Sequence, residues 1–143
     1  MNVHLTNRFD YDGLYGTVLN RFLVQAVNNH PLSVYGNGGQ TRAFIHISDT
    51  VKCIKLALKN KFFQPGKVRI FNQVSETKNI LELAKLINKR FGTKIMFLKN
   101  PRKELKKNEL EVSNKGLKSL GFKPTLLNDK LLEDLEFIAK KSS

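Results

Sequence analysis

Apolar residues recur at three- and four-residue spacing from Tyr15 or Gly16 to Asn28, with Val18, Phe22, Leu23, Ala26 and Val27 on one face, which predicts a first helix. His30-Pro31 stops it, because a residue before proline is pushed out of the helical region. Leu32 to Tyr35 then reads as a short strand, Gly36-Asn37-Gly38-Gly39 as a flexible loop, and Ala43 to Ile47 as a second strand. Ser48 or Asp49 caps a helix whose apolar face is Val51, Ile54, Ala57 and Leu58. Pro65-Gly66 turns the chain into a strand-like stretch, Val68 to Phe71. A third helix follows Ser75-Glu76-Thr77, carries Ile80, Leu83, Ala84, Ile87 and Phe91 on its apolar face, and ends at Gly92. Lys94 to Leu98 reads as a strand, Asn100-Pro101-Arg102 as a loop, and Ser113 to Leu120 as a short helix closed by Gly121. The last helix begins at Asn128, with Asp129, Glu133 and Asp134 early and Lys140 and Lys141 late, as the helix dipole favours. This alternation of β and α elements over 143 residues predicts a single α/β domain.

Charge alters the picture through its location. The chain holds 25 Lys and Arg against 12 Asp and Glu, a formal +13. Residues 1–50 are balanced, three arginines facing three aspartates, while residues 51–100 carry twelve cations and two acids. Most of these are lysines in helix-like segments at varied spacing, such as Lys52, Lys55 and Lys59, which reads as solvated surface. No zinc-finger spacing, RNA-binding aromatic motif or block of six basic residues accompanies them, so nucleic acid is not the expected partner. At 41% hydrophobic the chain can bury a core. No apolar run approaches the roughly 20 residues that cross a bilayer, and the first residues lack a signal-peptide stretch. A cytoplasmic protein with no membrane partner is expected. Cys53, the single cysteine, sits among Val51, Ile54 and Leu56 and reads as buried apolar filler. His4 and His30 have no carboxylate or cysteine at ligand spacing, and His46 reads as a structural strand residue, so no metal site is expected. Asp10 and Asp12 point apart as near neighbours in an extended or loop segment and do not make an acid/base pair.

The chemistry-bearing stretch is residues 31–50. Turn-forming residues between two strands let backbone amides approach a ligand, while Gln40 and Arg42 project polar groups from the same edge, an arrangement suited to an anionic, planar-headed ligand. The segment resembles the nucleotide-sugar-binding stretch of the extended short-chain dehydrogenase/reductases, the NAD-dependent epimerases and dehydratases. Five motifs narrow the likeness to the UDP-sulfoquinovose synthases within that superfamily: Arg8-Phe-Asp-Tyr-Asp12, Gly16-Thr-Val-Leu-Asn-Arg-Phe22, Gly38-Gly-Gln-Thr-Arg42, Phe71-Asn-Gln73 and Asn100-Pro-Arg-Lys-Glu104. The resemblance implies that residues 1–143 are the α/β, C-terminal substrate-binding portion of a Rossmann-type enzyme whose N-terminal dinucleotide-binding part is absent. It implies a UDP-sugar such as UDP-glucose as ligand. NAD is then the cofactor of the complete enzyme, bound by the missing part and not by this chain. The complete enzyme would oxidise the sugar at C4, eliminate water, add the sulfur nucleophile supplied as sulfite, and reduce C4 again. A 4-epimerase or 4,6-dehydratase lobe is the alternative within the class. A basic noncatalytic module binding nucleic acid or an acidic partner is the alternative outside it.

Under the same resemblance Val34 and Tyr35 border the nucleotide base, and Arg42 contacts the diphosphate, against a structural ion pair with Asp49 as its other reading. Arg102 becomes a second diphosphate ligand, where its loop alone would read as solvated surface. Gln40 either satisfies loop amides or touches sugar or phosphate. Asn20, unfavourable inside a helix by propensity, meets either the ligand or the backbone. Thr17 and Arg21 stand beside it at the opening of the helix, Thr17 also as a possible cap. The family's catalytic Tyr-x-x-x-Lys pair is missing: Tyr11, Tyr15 and Tyr35 are followed at the fourth position by Tyr15, Leu19 and Gly39. No glycine-rich strand–turn–helix for a dinucleotide is present either. No catalytic residue is expected, and the chain is expected to be inactive alone, whether as a fragment, a truncated product or one half of a split enzyme. The strand at Val68 to Phe71 is expected to leave an apolar edge for a separate N-terminal half or for self-association.

Overall fold

A computed structural model describes residues 17–59, 66–100, 108 and 110–142. The first described helix, α1 (Val18–Val27), begins after Thr17, which takes extended N-cap angles without a side-chain capping bond. It ends one residue earlier than expected. Asn29 adopts a left-handed φ of 56°, the His30 N–H reaches the Gln25 carbonyl at 2.8 Å and the Asn29 N–H the Ala26 carbonyl at 3.1 Å. That pattern of two reaching-back bonds closes a helix without glycine, because asparagine tolerates the left-handed region. The stop is therefore Asn28-Asn29, ahead of the proline.

Strand β1 (Leu32–Tyr35) lies where the alternation placed it and pairs in parallel with β4 (Ile95–Leu98), Leu32 opposite Ile95 and Tyr35 opposite Leu98. Strand β2 (Thr41–Phe44) starts two residues before the expected Ala43. It starts early because the Gln40 carbonyl already accepts the Ile80 N–H at 3.0 Å and the Thr41 N–H donates to the Asn108 side chain at 2.7 Å. It stops at Phe44 because His46, expected in the strand, opens helix α2 (Ile47–Lys59): its carbonyl accepts from Asp49 and Thr50, and its ring Nδ1 accepts the Ser48 N–H at 3.2 Å. The cap is thus His46 rather than Ser48 or Asp49. Strand β3 (Glu76–Asn79) pairs with β2, and the flanking bonds, Ser75 to Phe44 and Ile80 to Gln40, run the two strands in opposite directions.

Helix α3 (Ile80–Phe91) matches its predicted face, with Ile80, Leu83, Ala84 and Ile87 buried. Asn79 and Glu82 form a reciprocal capping box and Gly92 ends the helix at a φ of 70°. Helix α4 (Lys115–Ser119) closes through Gly121, φ 92°, with the Phe122 N–H reaching back to the Leu117 carbonyl. Helix α5 (Asp129–Ser142) follows.

The contacts group into two units, each built from separate stretches of chain. The first unit takes residues up to 42, 78–109 and those from 127 onward. Its helix α1 packs on α3 and α5 and its core is Phe22, Leu23, Leu32, Val34, Leu83, Ile87, Leu132 and Ile138. The second unit takes residues 43–77 and 110–126, with Cys53, Leu117 and Phe122 at its centre and Ile45, Leu56, Phe71 and Leu120 around them. Cys53 is buried as expected.

Two expectations fail in the second unit. The apolar stripe of α2 read from the sequence, Val51, Ile54, Ala57 and Leu58, is exposed, and the inward stripe is the buried Asp49 and Cys53 with the partly buried Leu56. Both stripes have helical spacing, and the choice between them was made by a carboxylate that hydropathy scores as surface. Val68 to Phe71 is not a strand: among the described residues no edge pairs with it, and Val68 and Ile70 are 89% and 86% exposed. Phe71 turns inward, its ring 3.1 Å from where a Cβ on Gly116 would stand.

Candidate functional site

The candidate ligand residues within the described chain all fall in the first unit. Arg102 lies outside the described residues. The three glycine amides of the loop after β1 are bonded within the protein, which differs from the open amides expected. The Gly36 N–H donates to the Leu98 carbonyl at 2.8 Å, the Gly38 N–H to the Tyr35 carbonyl at 3.3 Å, and the Gly39 N–H to the Asn37 side chain at 2.9 Å. Two carbonyls here are bonded as well, those of Gly38 and Gln40 accepting from Leu81 and Ile80 at the start of α3. Gly38 is required there: its φ is 69°, and a Cβ would stand 2.8 Å from Val34 Cγ1 and 3.2 Å from the Leu81 backbone nitrogen.

Gln40 is 5% exposed, and its Nε2 would lie 3.9 Å from a Cβ on Gly36, so its side chain packs beneath the loop. Val34 is fully buried, main chain included, and pairs with Phe97 across the β1–β4 ladder. Arg42 is half-buried and donates from Nη1 to the Thr41 carbonyl at 3.3 Å. Its alternative partner, Asp49, directs its carboxylate elsewhere: it accepts from Lys52 at 2.7 Å, Ser75 at 3.1 Å, and the Thr125 N–H and hydroxyl at 2.6 and 3.0 Å. Burial pushes the Asp49 pKa up, but the bonds from Lys52 and Thr125 outweigh it and hold the carboxyl below the ordinary aspartate value.

Thr17 is exposed and Asn20 is buried in α1. Arg21 is 7% exposed, donates from Nη2 to the Ser33 carbonyl at 3.1 Å and lies over the Tyr35 ring with Cζ 4.6 Å from its centroid. The structure thus brings Arg21 and Tyr35 together, with Gln25 and Ser33 completing the cluster: Gln25 donates to the Ser33 hydroxyl at 2.7 Å and accepts the Ser33 N–H at 3.1 Å. Gln25 had a readable signal, being one turn from Arg21 in an otherwise apolar stripe. Asn108, which pairs with Gln40 and Thr41, had none, since 67 residues separate it from Thr41.

The family model for the NAD dependent epimerase/dehydratase family matches residues 2–72. Relatives agree: UDP-sulfoquinovose synthase of spinach (Spinacia oleracea) is 44% identical over 94% of this chain, and that of Sulfolobus acidocaldarius 37% over 95%. The chain belongs to the NAD-dependent epimerase/dehydratase family.

This family member spans 29% and 35% of the lengths of those two relatives. Its fold is shared with UDP-glucuronic acid 4-epimerase from Bacillus cereus, 24% identical, with a TM-score of 0.72 over 89% of this chain and 40% of that one. UDP-glucose 4-epimerase from Thermotoga maritima gives 20% identity and a TM-score of 0.66 over 93% and 41%. The chain is an α/β, C-terminal portion of the Rossmann-type fold of these short-chain dehydrogenase/reductases. Among the described residues, the glycine-rich loop after β1 leads into β2 rather than a helix, its glycine amides are bonded, and the space at Gly38 is filled by Val34 and Leu81, so it is not the strand–turn–helix cradle of a dinucleotide. No described helix is long and apolar enough to cross a membrane. Among the described residues, no group of three or more His, Cys, Asp or Glu is placed to hold a metal ion.

Proposed function

We propose that this chain is the nucleotide-sugar-gripping portion of a UDP-sulfoquinovose synthase-like enzyme, taking UDP-glucose or a related UDP-sugar, and that it is inactive alone. One observation carries the reading. Asn100 and Asn108, the described residues before and after Arg102 in the sequence, both stand beside the loop that leads to Arg42: the Asn100 Cβ lies 3.8 Å from where a Gly36 Cβ would stand, and Asn108 bridges to Gln40 and bonds Thr41. Arg102 is two residues along the chain from Asn100, which supports its convergence with Arg42 on one diphosphate. Tyr35, at the end of β1, takes the base. Gripping the UDP positions the hexose for chemistry performed by residues of another portion, since binding energy far from the reacting carbon can be spent on orientation. NAD belongs to that other portion. The exposed apolar side chains of the second unit, Val51, Ile54, Leu58, Val68 and Ile70, are the surface we assign to it.

The 44% identity to the spinach synthase, against 29% to UDP-glucuronic acid decarboxylase 1 of Danio rerio, favours the sulfosugar reading over other members of the family. Calorimetric titration with UDP tests it. A charge-assisted contact contributes about 1.5–3 kcal/mol, so Arg42→Ala and Arg102→Ala should each weaken UDP about tenfold to a hundredfold. Failure of the unaltered chain to bind UDP, or turnover of UDP-glucose with sulfite and NAD by a homogeneous sample of it, sinks the reading.

A further inference from the structure

A guanidinium at 7% exposure is expensive to bury unless its charge does something an apolar side chain cannot. Arg21 stands in α1 between Asn20 and the fully buried Phe22 and Leu23. Its Nη2 donates to the Ser33 carbonyl and its plane lies over Tyr35, with Phe22 at 5.6 Å on its other contact. Gln25, one turn later, accepts the Ser33 N–H and donates to the Ser33 hydroxyl. Two polar side chains of one helix therefore hold the residue immediately before Val34-Tyr35, and one of them also lies over the ring of Tyr35, a residue that is half-buried rather than sealed.

We propose that Arg21 is a positioning residue that acts through Tyr35: it covers the inner face of the ring and fixes its plane, so that the outer face is a rigid stacking surface for the base of the nucleotide. Arg21 itself meets no phosphate. The inference rests on the nucleotide-sugar reading above and narrows it, because it makes recognition at this end depend on a planar aromatic group rather than on negative charge. A cation over an aromatic ring, desolvated as here, fixes the ring more firmly than an alkyl chain of the same length.

The test is a double-mutant cycle with two probes, UDP and inorganic diphosphate, read together with tyrosine ring resonances of the full chain in a Tyr11→Phe, Tyr15→Phe background, where Tyr35 is the only tyrosine. Arg21→Met should shift the Tyr35 ring signals and weaken UDP about tenfold while leaving diphosphate unchanged. Arg21→Lys, which keeps the charge and spares the fold, should recover part of both. In a Tyr35→Leu background Arg21→Lys should have no further effect on UDP. Parallel loss of UDP and diphosphate would mean that the guanidinium meets phosphate, and overturns the proposal. So does an Arg21→Lys effect that persists without Tyr35, or a Tyr35 ring signal indifferent to both substitutions. If the unaltered chain binds no UDP, the nucleotide-sugar reading falls separately, and the ring signal alone decides whether Arg21 holds Tyr35.

Discussion

The two units bury their apolar residues to different degrees. In the first, three helices and the β1–β4 pair seal Phe22, Leu23, Leu32, Val34, Leu83, Ile87, Leu132 and Ile138 from water. The second encloses a small centre, Cys53, Leu117 and Phe122, and leaves Ile47, Val51, Ile54, Leu58, Val68 and Ile70 exposed. It is held instead by a buried polar hub: Asp49 draws Lys52, Ser75 and Thr125 onto one carboxylate, and the Asn114 side chain donates to the Val74 carbonyl at 2.7 Å. A unit that relies on hydrogen bonds for its interior and presents apolar side chains outside has the surface proposed above as the contact for another portion of the enzyme.

The largest expected effect is in the sealed unit. Phe22→Ala should destabilise it by about 3–5 kcal/mol through the cavity it leaves, with hydrogen exchange accelerated in α1, α3 and α5. Equal acceleration in α2 would mean that the two units unfold as one and that the contrast between them is not energetic. Next comes the hub. Asp49→Ala strands the Thr125 N–H and two hydroxyls and should cost about 2–4 kcal/mol, read as lost protection in α2 and at Thr125. Because the Asp49 carboxyl lies below its ordinary value when folded, its contribution is present above the unfolded pKa of about 3.9 and fades as pH falls through the folded value. Acid should therefore loosen the second unit, and Asp49→Asn should remove that pH dependence. Gly38→Ala should cost about 2–3 kcal/mol, from the positive φ and from overlap with Val34 and Leu81. Chemical shifts of Tyr35 and Leu81 that stay put would show the loop to be less constrained than its geometry. The smallest effect belongs to the uncovered surface: Ile70→Ser should change stability by no more than about 0.5 kcal/mol while reducing any concentration-dependent sedimentation. A loss of several kcal/mol would show that the side chain is already covered.

The first unit was legible in the sequence and much of the second was not. Helix α3 was read correctly because every signal agreed: Ile80, Leu83, Ala84 and Ile87 at helical spacing, and Gly92 to stop it. Strands β1 and β4 were placed to within a residue or so, although their parallel pairing was not foreseen, since nothing local in Leu32–Tyr35 names a partner 63 positions on. In the second unit, hydropathy chose the wrong stripe of α2 because Asp49 counts as polar whether or not it is buried among donors. Val68 to Phe71 has strand-forming residues, but an edge to pair with is not a property of the segment itself. At the candidate site the residue types were legible in the sequence and their partners within the protein were not. Arg21 turned inward because Ser33 and Tyr35, twelve and fourteen positions later, offered a carbonyl and a ring, and the glycine loop turned its amides toward β4, Tyr35 and Asn37 rather than outward.

The way the chain threads these units has a kinetic consequence. Neither unit is contiguous: the first is interrupted by residues 43–77 and again by 110–126. The parallel β1–β4 pair closes a loop of roughly sixty residues, an entropic cost that grows only as the logarithm of its length but must be met before the strands reward it. The α5 side chains Leu132 and Ile138 complete the first core only once the chain has grown roughly a hundred residues beyond α1. Until then α1 carries Phe22 and Leu23 without their α5 cover. Synthesis thus passes through a stage in which both halves of the molecule expose apolar surface, and loss of the last helix would prolong that stage indefinitely.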